Sequence, residues 1–278
     1  MEYFYPNQPD RNALLNTSLT IDRYGQVSVL LPNNSIMTIG GWTFIRSTVS
    51  NEVTAKAELF DPETFQVASG ATMNQVRAWA GAAILNGHPW VCGGVGLNYQ
   101  TLRSCESLSF NGTWIYRKSM QTNRYSLGLV QYGGLLYAIG GSDWQAGHDL
   151  KSVEKYSPKT DSWTFLASMQ IARAPYNAAA LSGELFACGG NYVGAYKSCE
   201  KFSTPTGKWV RIADTLMFRD YMNLVALGDK LYAIGGYDNQ EEPESLDSVE
   251  EYDPIRNVWS LMQKRMQRQR YIASAVAL

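Results

Sequence analysis

The chain has 278 residues with 24 basic and 25 acidic side chains, so no bulk charge draws it to nucleic acid or to a membrane surface. Hydrophobic residues make up 45%, yet no apolar run reaches the roughly 18 residues of a spanning helix. Met1 is followed by Glu-Tyr-Phe-Tyr-Pro rather than by the basic region and apolar core of an export signal. These features predict a soluble, cytoplasmic chain that binds neither nucleic acid nor membrane.

One unit recurs along the whole chain. Ile36-Met37-Thr38-Ile39-Gly40-Gly41 returns as Pro89-Trp90-Val91-Cys92-Gly93-Gly94, as Leu136-Tyr137-Ala138-Ile139-Gly140-Gly141, as Leu185-Phe186-Ala187-Cys188-Gly189-Gly190 and as Leu231-Tyr232-Ala233-Ile234-Gly235-Gly236. An apolar strand ending in a glycine pair, repeated at a step of roughly fifty residues, is a repeat architecture.

Taken in order, the chain opens with Glu2, Phe4, Tyr5 and Pro6, which match a third-strand segment such as Glu250, Tyr252 and Pro254; residues 13–15 match a fourth strand. Leu19 and Arg23 then lead into a first strand over 26–31. Full repeats are predicted over 24–76, 77–123, 124–172, 173–218 and 219–269. In the third of these, residues 125–131 read as a first strand, Gly133-Gly134 as a turn, 135–139 as a second strand, 142–151 as a variable loop, 152–156 as a third strand and 162–166 as a fourth centred on Trp163.

The landmarks repeat elsewhere. Glu58, Glu106, Glu154, Glu200 and Glu250 mark third strands, with Phe60, Leu108, Tyr156, Phe202 and Tyr252 two residues on. Phe65, Trp114, Trp163, Trp209 and Trp259 mark fourth strands. Arg77, Arg124, Arg173, Arg219 and Arg270 open the following repeats, preceded at a distance of four by Met73, Met120, Met169 and Met266 and at three by Leu216. Residues that recur once per repeat are read as scaffold, not as catalytic groups. Residues 271–278 read as a first strand, so the two termini supply parts of one further unit.

Four strands per repeat with no helical period predict an all-β fold: a six-bladed β-propeller of four-stranded antiparallel blades in one domain, 1–278. The closing blade draws on 1–23 and 270–278 and lacks a second strand with its glycine pair. Either the closing blade has only three strands or the sequence is cut from a longer chain, and the second is the expectation.

The cysteines follow the repeat. Cys92 and Cys188 directly precede glycine pairs, and Cys105 and Cys199 directly precede Glu106 and Glu200, at positions that elsewhere hold apolar residues. Their place on neighbouring antiparallel strands suits either disulfides, 92 with 105 and 188 with 199, or buried thiols in apolar slots.

The glycine pair, the glutamate, the aromatic followed by Asp61-Pro62, Ser157-Pro158 or Asp253-Pro254, and the tryptophan together resemble the Kelch repeat. Repeat two departs with Asn111-Gly112 at the turn, and repeat one has Phe65 for tryptophan. The resemblance is strongest to the Kelch domains of Kelch-like (BTB-Kelch) adaptors, which recruit substrates to Cullin-type ubiquitin ligases. Such ligase recruitment requires a BTB region that the 278 residues do not contain.

The resemblance implies that a protein or peptide docks on the face built from two sets of positions. The loops after the glycine pairs contribute Trp42, Phe44, Arg46, Asn98, Tyr99, Trp144, His148, Asn191, Tyr192, Tyr196, Tyr237, Asp238 and Asn239. The residues after the recurring arginines contribute Tyr24, Trp79, Tyr125, Tyr176, Tyr221 and Tyr271. Variable loops rich in tyrosine and tryptophan on a rigid frame suit binding, and the scarcity of arginine points to an uncharged or aromatic ligand. The alternative role for these rings is to wedge blades and cover loop backbone. Asp238, Glu241, Glu242, Glu244 and Asp247 form an acidic arm, and Lys264, Arg265, Arg268 and Arg270 a basic run; both are read as solvated surface.

No catalytic residue and no cofactor is assigned. Only His88 and His148 are available for a copper or iron site, and no Ser-His-Asp spacing, phosphate loop or paired-cysteine metal motif occurs. The expected function is non-enzymatic partner binding, with actin binding and a cofactor-free sugar isomerase as the alternatives. The isomerase would have to use the recurring arginines and glutamates.

Overall fold

The computed structural model describes residues 2–3, 13–14, 18–45, 50–175, 178–190, 195–238, 244–263, 265–271 and 273–277. Each apolar run before a glycine pair forms the second strand of a four-stranded antiparallel sheet, with the glutamate strand on its far side. Five such sheets are formed among the described residues. Blade one consists of Val27–Leu30, Ile36–Ile39, Ala57–Phe60 and Val67–Ser69. Blade two consists of Gly81–Leu85, His88–Cys92, Cys105–Leu108 and Trp114–Arg117. Blade three consists of Gly128–Tyr132, Leu135–Ile139, Val153–Ser157 and Ser162–Phe165. Blade four consists of Ala179–Leu181, Glu184–Cys188, Cys199–Ser203 and Lys208–Ile212. Blade five consists of Asn223–Leu227, Lys230–Ile234, Val249–Asp253 and Val258–Leu261. Their first strands pack on one another in sequence, as the inner strands of a β-propeller do.

Ahead of blade one, Glu2–Tyr3 pairs antiparallel with Ala13–Leu14, the two segments read as third and fourth strands. The last described residues run beside blade five. Ala273 O accepts from Asn223 Nδ2 at 3.3 Å, and Ala275 N–H donates to Asn223 Oδ1 at 3.0 Å.

The blades are joined by apolar layers and by two polar devices. The layer between blades two and three contains Trp90, Leu129, Tyr156 and Trp163, and the one between four and five contains Phe186, Leu224, Tyr252 and Trp259. Burying each of these large side chains contributes about 1.5–3 kcal/mol. The fourth-strand tryptophans also reach backward: Trp114, Trp163 and Trp259 donate Nε1–H to Ala71 O, Lys118 O and Ala213 O of the preceding blade at 2.9, 2.9 and 3.0 Å.

The first polar device is an ion pair in every described blade. Arg77, Arg124, Arg173 and Arg219 meet Glu106, Glu154, Glu200 and Glu250 at 2.9 Å, with no side-chain surface exposed, and Arg23 meets Glu58 at 2.7 Å. Each carboxylate also accepts backbone N–H groups from the segment arriving from the preceding blade, such as Gln121 and Thr122 on Glu154. The second device explains the glycine pair. Gly94 N–H donates to Arg124 O at 2.7 Å, which brings that carbonyl so close that a Cβ on Gly93 would lie 2.3 Å from it. The left-handed φ of +69° at Gly93 adds a second reason for glycine.

Four expectations need correction. The first strand of blade three starts at Gly128, not at 125: Tyr125 pairs instead with Ser142, and Ser126 takes a φ of +51°, which breaks the extended run. Phe65 does not mark a fourth strand. It sits in the turn with φ +58° and is exposed, while Val67 takes the place opposite Phe60 that tryptophan holds opposite Tyr156. Leu216 is 49% exposed and fills no methionine slot; Met222 supplies the methyl that approaches Gly189. Lys155 and Glu154 lie where expected in the third strand of blade three, but that strand starts one residue later, at Val153, and ends at Ser157.

Both cysteine pairs stand directly opposite in register, Cys92 with Cys105 and Cys188 with Cys199. Each pair is joined by a disulfide and is fully buried.

Candidate partner-binding face

In blades one, two, three and five the residue after the glycine pair and the residue after the recurring arginine are brought together by backbone pairing. Trp42 pairs with Tyr24, Val95 with Ala78, Ser142 with Tyr125 and Tyr237 with Asp220. The two sets of positions picked from the sequence therefore meet at one end of the blades. The loops fold back as short hairpins, Trp42–Ile45 with Ser50–Val53, Ser142–Asp143 with His148–Asp149, and Tyr237–Asp238 with Glu244–Ser245. In blade two the loop carries the short 3-10 turn Leu97–Tyr99, with Asn98 at φ +54°.

Five rings from blades one, two and three close into a circuit. Trp42 lies 5.9 Å from Trp79, Trp79 6.1 Å from Tyr125, Tyr125 5.9 Å from Trp144, Trp144 5.8 Å from Tyr99, and Tyr99 5.4 Å from Trp42. Tyr24 joins at 6.4 Å from Trp79. Tyr99 and Trp144 are about half exposed, as is the neighbouring Phe44, whereas Trp42 is only 6% exposed and props the others from within. The tyrosines at the junction of blade five and the closing segment form a smaller group. Tyr271 stands 6.3 Å from Tyr221 and 5.5 Å from Tyr237. Tyr196 leaves both groups and stacks on Phe218 at 5.8 Å.

Polar contacts that the sequence did not single out fix the larger patch. Trp144 N–H donates to Thr101 Oγ1 at 3.0 Å, Thr101 N–H to Gln145 Oε1 at 3.0 Å, and Gln145 Nε2 to Tyr99 O at 3.0 Å. These bonds tie the loop of blade two to that of blade three. Nothing in the local sequence marks Thr101 or Gln145 beyond their nearness to Tyr99 and Trp144.

On the axis beside the patch, Trp79 N–H donates to Gly25 O at 2.6 Å and Ser126 N–H to Trp79 O at 2.7 Å, linking successive blades. The next equivalent residue, Pro175, has no N–H to continue the series. Gly25, Trp79, Ser126, Tyr221, Asn223 and Ala273 line a small hollow there. Gln26 Oε1, Trp79 Nε1 and Ser126 Oγ are buried around it without a hydrogen bond inside the protein.

Asp220 is a further residue missed from the sequence. It occupies a position that holds Tyr24, Ala78, Tyr125 and Ala174 in other blades. Burial pushes its carboxyl up to about 7, against the pull of the Tyr221 N–H and with a further push from Asp149. Burial also raises the Asp149 carboxyl, countered by the Ser142 hydroxyl. Burial likewise raises the Tyr24 hydroxyl.

The remaining candidates scatter. His148 is exposed and its Nδ1 lies 3.1 Å from Ala146 O, while His88 stacks on Phe110 at the far end of blade two. Asp238 and Tyr237 are half-buried in their hairpin. Arg46, Tyr176, Asn191, Tyr192 and Asn239 lie outside the described residues, as do Glu241, Glu242 and Lys264. Asp247 of the acidic arm is paired with Arg265 of the basic run at 2.9 Å. Among the described residues no group of three or more histidine, cysteine, aspartate or glutamate side chains could hold a metal ion, and no helix is long and apolar enough to cross a membrane.

Residues 123–170 and 219–265, blades three and five, match the Kelch motif family. Together with five four-stranded blades closed by Arg–Glu pairs and glycine latches, this settles the repeat type. The chain carries Kelch repeats. Its similarity to Kelch-like protein 26 of Mus musculus is 32% identity over 121 residues, covering 42% of the chain and 20% of that relative. Kelch repeat and BTB domain-containing protein 13 of Homo sapiens is 33% identical over 115 residues, covering 39% of the chain and 24% of that relative. Influenza virus NS1A-binding protein of Homo sapiens is 42% identical over 72 residues, 26% of the chain and 11% of that relative. The Kelch-repeat chain thus matches no more than about a quarter of the length of these relatives.

Proposed function

We propose that this Kelch-repeat protein is a non-enzymatic interaction module that captures a partner protein or peptide on the loop face of blades one to three. The observation that carries the reading is the circuit of Trp42, Trp79, Tyr125, Trp144 and Tyr99, half-exposed at Tyr99 and Trp144 and fixed by Thr101 and Gln145. Rigid aromatic surface gives large contact area at low entropic cost and is favoured at binding hot spots. The unbonded Gln26, Trp79 and Ser126 atoms on the axis add polar groups for an inserted, uncharged side chain. The second set, Tyr221, Tyr237 and Tyr271 with Asp238, extends the face toward blade five. His148, Asn98 and Phe44 form its rim.

The buried Arg–Glu pairs speak against the isomerase alternative, since both groups are spent on one another and on backbone. Two of the relatives are named for interactions or for a BTB domain, one as a binder of influenza virus NS1A and one as a Kelch repeat and BTB protein. A cytoplasmic substrate receptor for a Cullin-type ligase is the finer form of the proposal, conditional on a BTB region in the same polypeptide or complex.

Selection of peptides from a random library on the immobilised propeller tests the reading. Selected peptides should carry aromatic and uncharged residues and should lose binding at least tenfold to Trp144→Ala and Tyr99→Ala variants. Peptides that bind these variants and the native chain equally would refute the site. Cosedimentation with actin filaments that survives both substitutions would move the function to the alternative reading.

A further inference from the structure

Between blades two and three lies a cleft of about 350 Å³ lined by His88, Trp90, Arg117, Lys118, Tyr156 and Asp161 among others. Its size falls in the range of small-molecule sites. The repeat itself shows why it exists. Three residues after the fourth-strand tryptophan, the other blades carry Leu166, Ile212 and Met262, which pack into or against the apolar layers. Blade two carries Arg117 there, in a position that blades three to five fill with an apolar side chain and that is Gly70 in blade one.

Arg117 is held for a purpose other than packing. Its Nε–H donates to Ser107 Oγ at 2.8 Å, and its guanidinium stands 5.6 Å from the centre of the Trp90 ring. These contacts orient the guanidinium through Nε and one face, and among the described residues no carboxylate pairs with its terminal nitrogens. Lys118 follows it, bonded through its backbone carbonyl to Trp163 Nε1, so its chain position is fixed while its ammonium has no ion-pair partner among the described residues. Asp161, the carboxylate of the cleft, accepts the Tyr156 hydroxyl at 2.8 Å. Burial and that bond push the Tyr156 hydroxyl up to about 12, so it remains a donor at neutral pH.

We propose that this cleft binds a small organic phosphate monoester, with Arg117 and Lys118 on the phosphate and His88 beside the organic group. Two cationic residues lining one cleft favour a doubly charged head over a single carboxylate, and an oriented guanidinium meets phosphate oxygens in a fork. The partly exposed ring of His88, on the same face of its strand as Trp90, offers a flat wall for a ring. The site is separate from the loop face and does not depend on it.

Phenyl phosphate is the probe, titrated by calorimetry at low salt with benzoate and inorganic phosphate as comparisons. Phenyl phosphate should bind at least tenfold more tightly than benzoate and more tightly than inorganic phosphate, and binding should weaken as salt rises. Arg117→Leu, which installs the residue of blade three, should keep the thermal midpoint and lose at least tenfold in affinity; Lys118→Ala should lose less. Arg103→Ala, on the loop of blade two, should change nothing. Absence of phenyl phosphate binding by the native protein, benzoate binding of equal strength, or undiminished binding by a folded Arg117→Leu protein would each overturn the proposal.

Discussion

Arg124 Nη2 lies 2.9 Å from Glu154 Oε1 with neither side chain exposed, and the same guanidinium donates to Gly140 O and Ser152 O. A single residue thus ties the glycine pair of blade three to its glutamate strand, while Glu154 holds the segment arriving from blade two. Removing one member strands a buried charge, which costs about 3–5 kcal/mol. Glu154→Ala should therefore lower the urea midpoint sharply, and Glu250→Ala and Arg173→Ala should do the same. A loss below about 1 kcal/mol for all three would show that the pairs do not hold the blades together.

The glycine latch makes an independent prediction. Alanine at Gly93 meets Arg124 O at 2.3 Å with φ at +69°, so Gly93→Ala should cost about 2 kcal/mol or more. Gly112→Ala is the control, because its φ is also positive at +80° but nothing lies within 4 Å of the added Cβ. Thermal unfolding of the two variants should separate the clash from the backbone strain.

The cysteine pairs span 13 and 11 residues, Cys92 to Cys105 and Cys188 to Cys199. Peptide mapping without reductant should return those two links and no others. Replacing Cys92 and Cys105 together by serine and alanine should cost about 3 kcal/mol by the loop-entropy relation. A cytoplasmic protein kept in glutathione would show four alkylatable thiols after unfolding, which mapping from the source cell would report directly.

Asp220 introduces a pH dependence of opposite sign to that of a salt-bridged carboxylate. Its folded carboxyl titrates at about 7, above the model-peptide value of 3.8, so the folded state holds a proton that the unfolded chain releases. The stability it contributes is present below that lower value and is lost as pH rises from about 4 toward 7. Asp220→Asn keeps the acceptor for the Tyr221 N–H and removes the charge. It should therefore stabilise the protein at pH 8 by roughly 1–3 kcal/mol and leave it little changed at pH 4. Equal effects at both pH values would mean that the charge is not the cause.

Much of the frame was legible because the repeat writes it five times. The glycine pair, the glutamate and the arginine are each demanded by a contact that recurs in the five described four-stranded blades, so their spacing reveals the sheets and even the register of Cys92 against Cys105 and Cys188 against Cys199. What the repeat does not share was less legible. Phe65 looked like the tryptophan of its blade because it is the aromatic residue in that stretch, but it follows Phe60 by five residues where the tryptophans follow Tyr156, Phe202 and Tyr252 by seven, and the spacing of seven falls on Val67. At the loop face the aromatic residues were visible in the sequence, whereas Thr101 and Gln145, which join two loops, were not, since their bonds run between repeats. Arg117 was legible only as an exception: its meaning depends on Trp90 and Ser107 lying across two other strands.

The most direct test of the loop face is proximity labelling in the source cell, comparing the native chain with a Tyr99→Ala, Trp144→Ala and Tyr237→Ala triple variant whose unfolding midpoint matches it. Trp42 is left in place because it supports the patch from within. Partners labelled by the native chain and lost selectively from the variant are the predicted result, and ligase components among those retained would support the adaptor form. An unchanged partner set from a folded variant would contradict binding through this face.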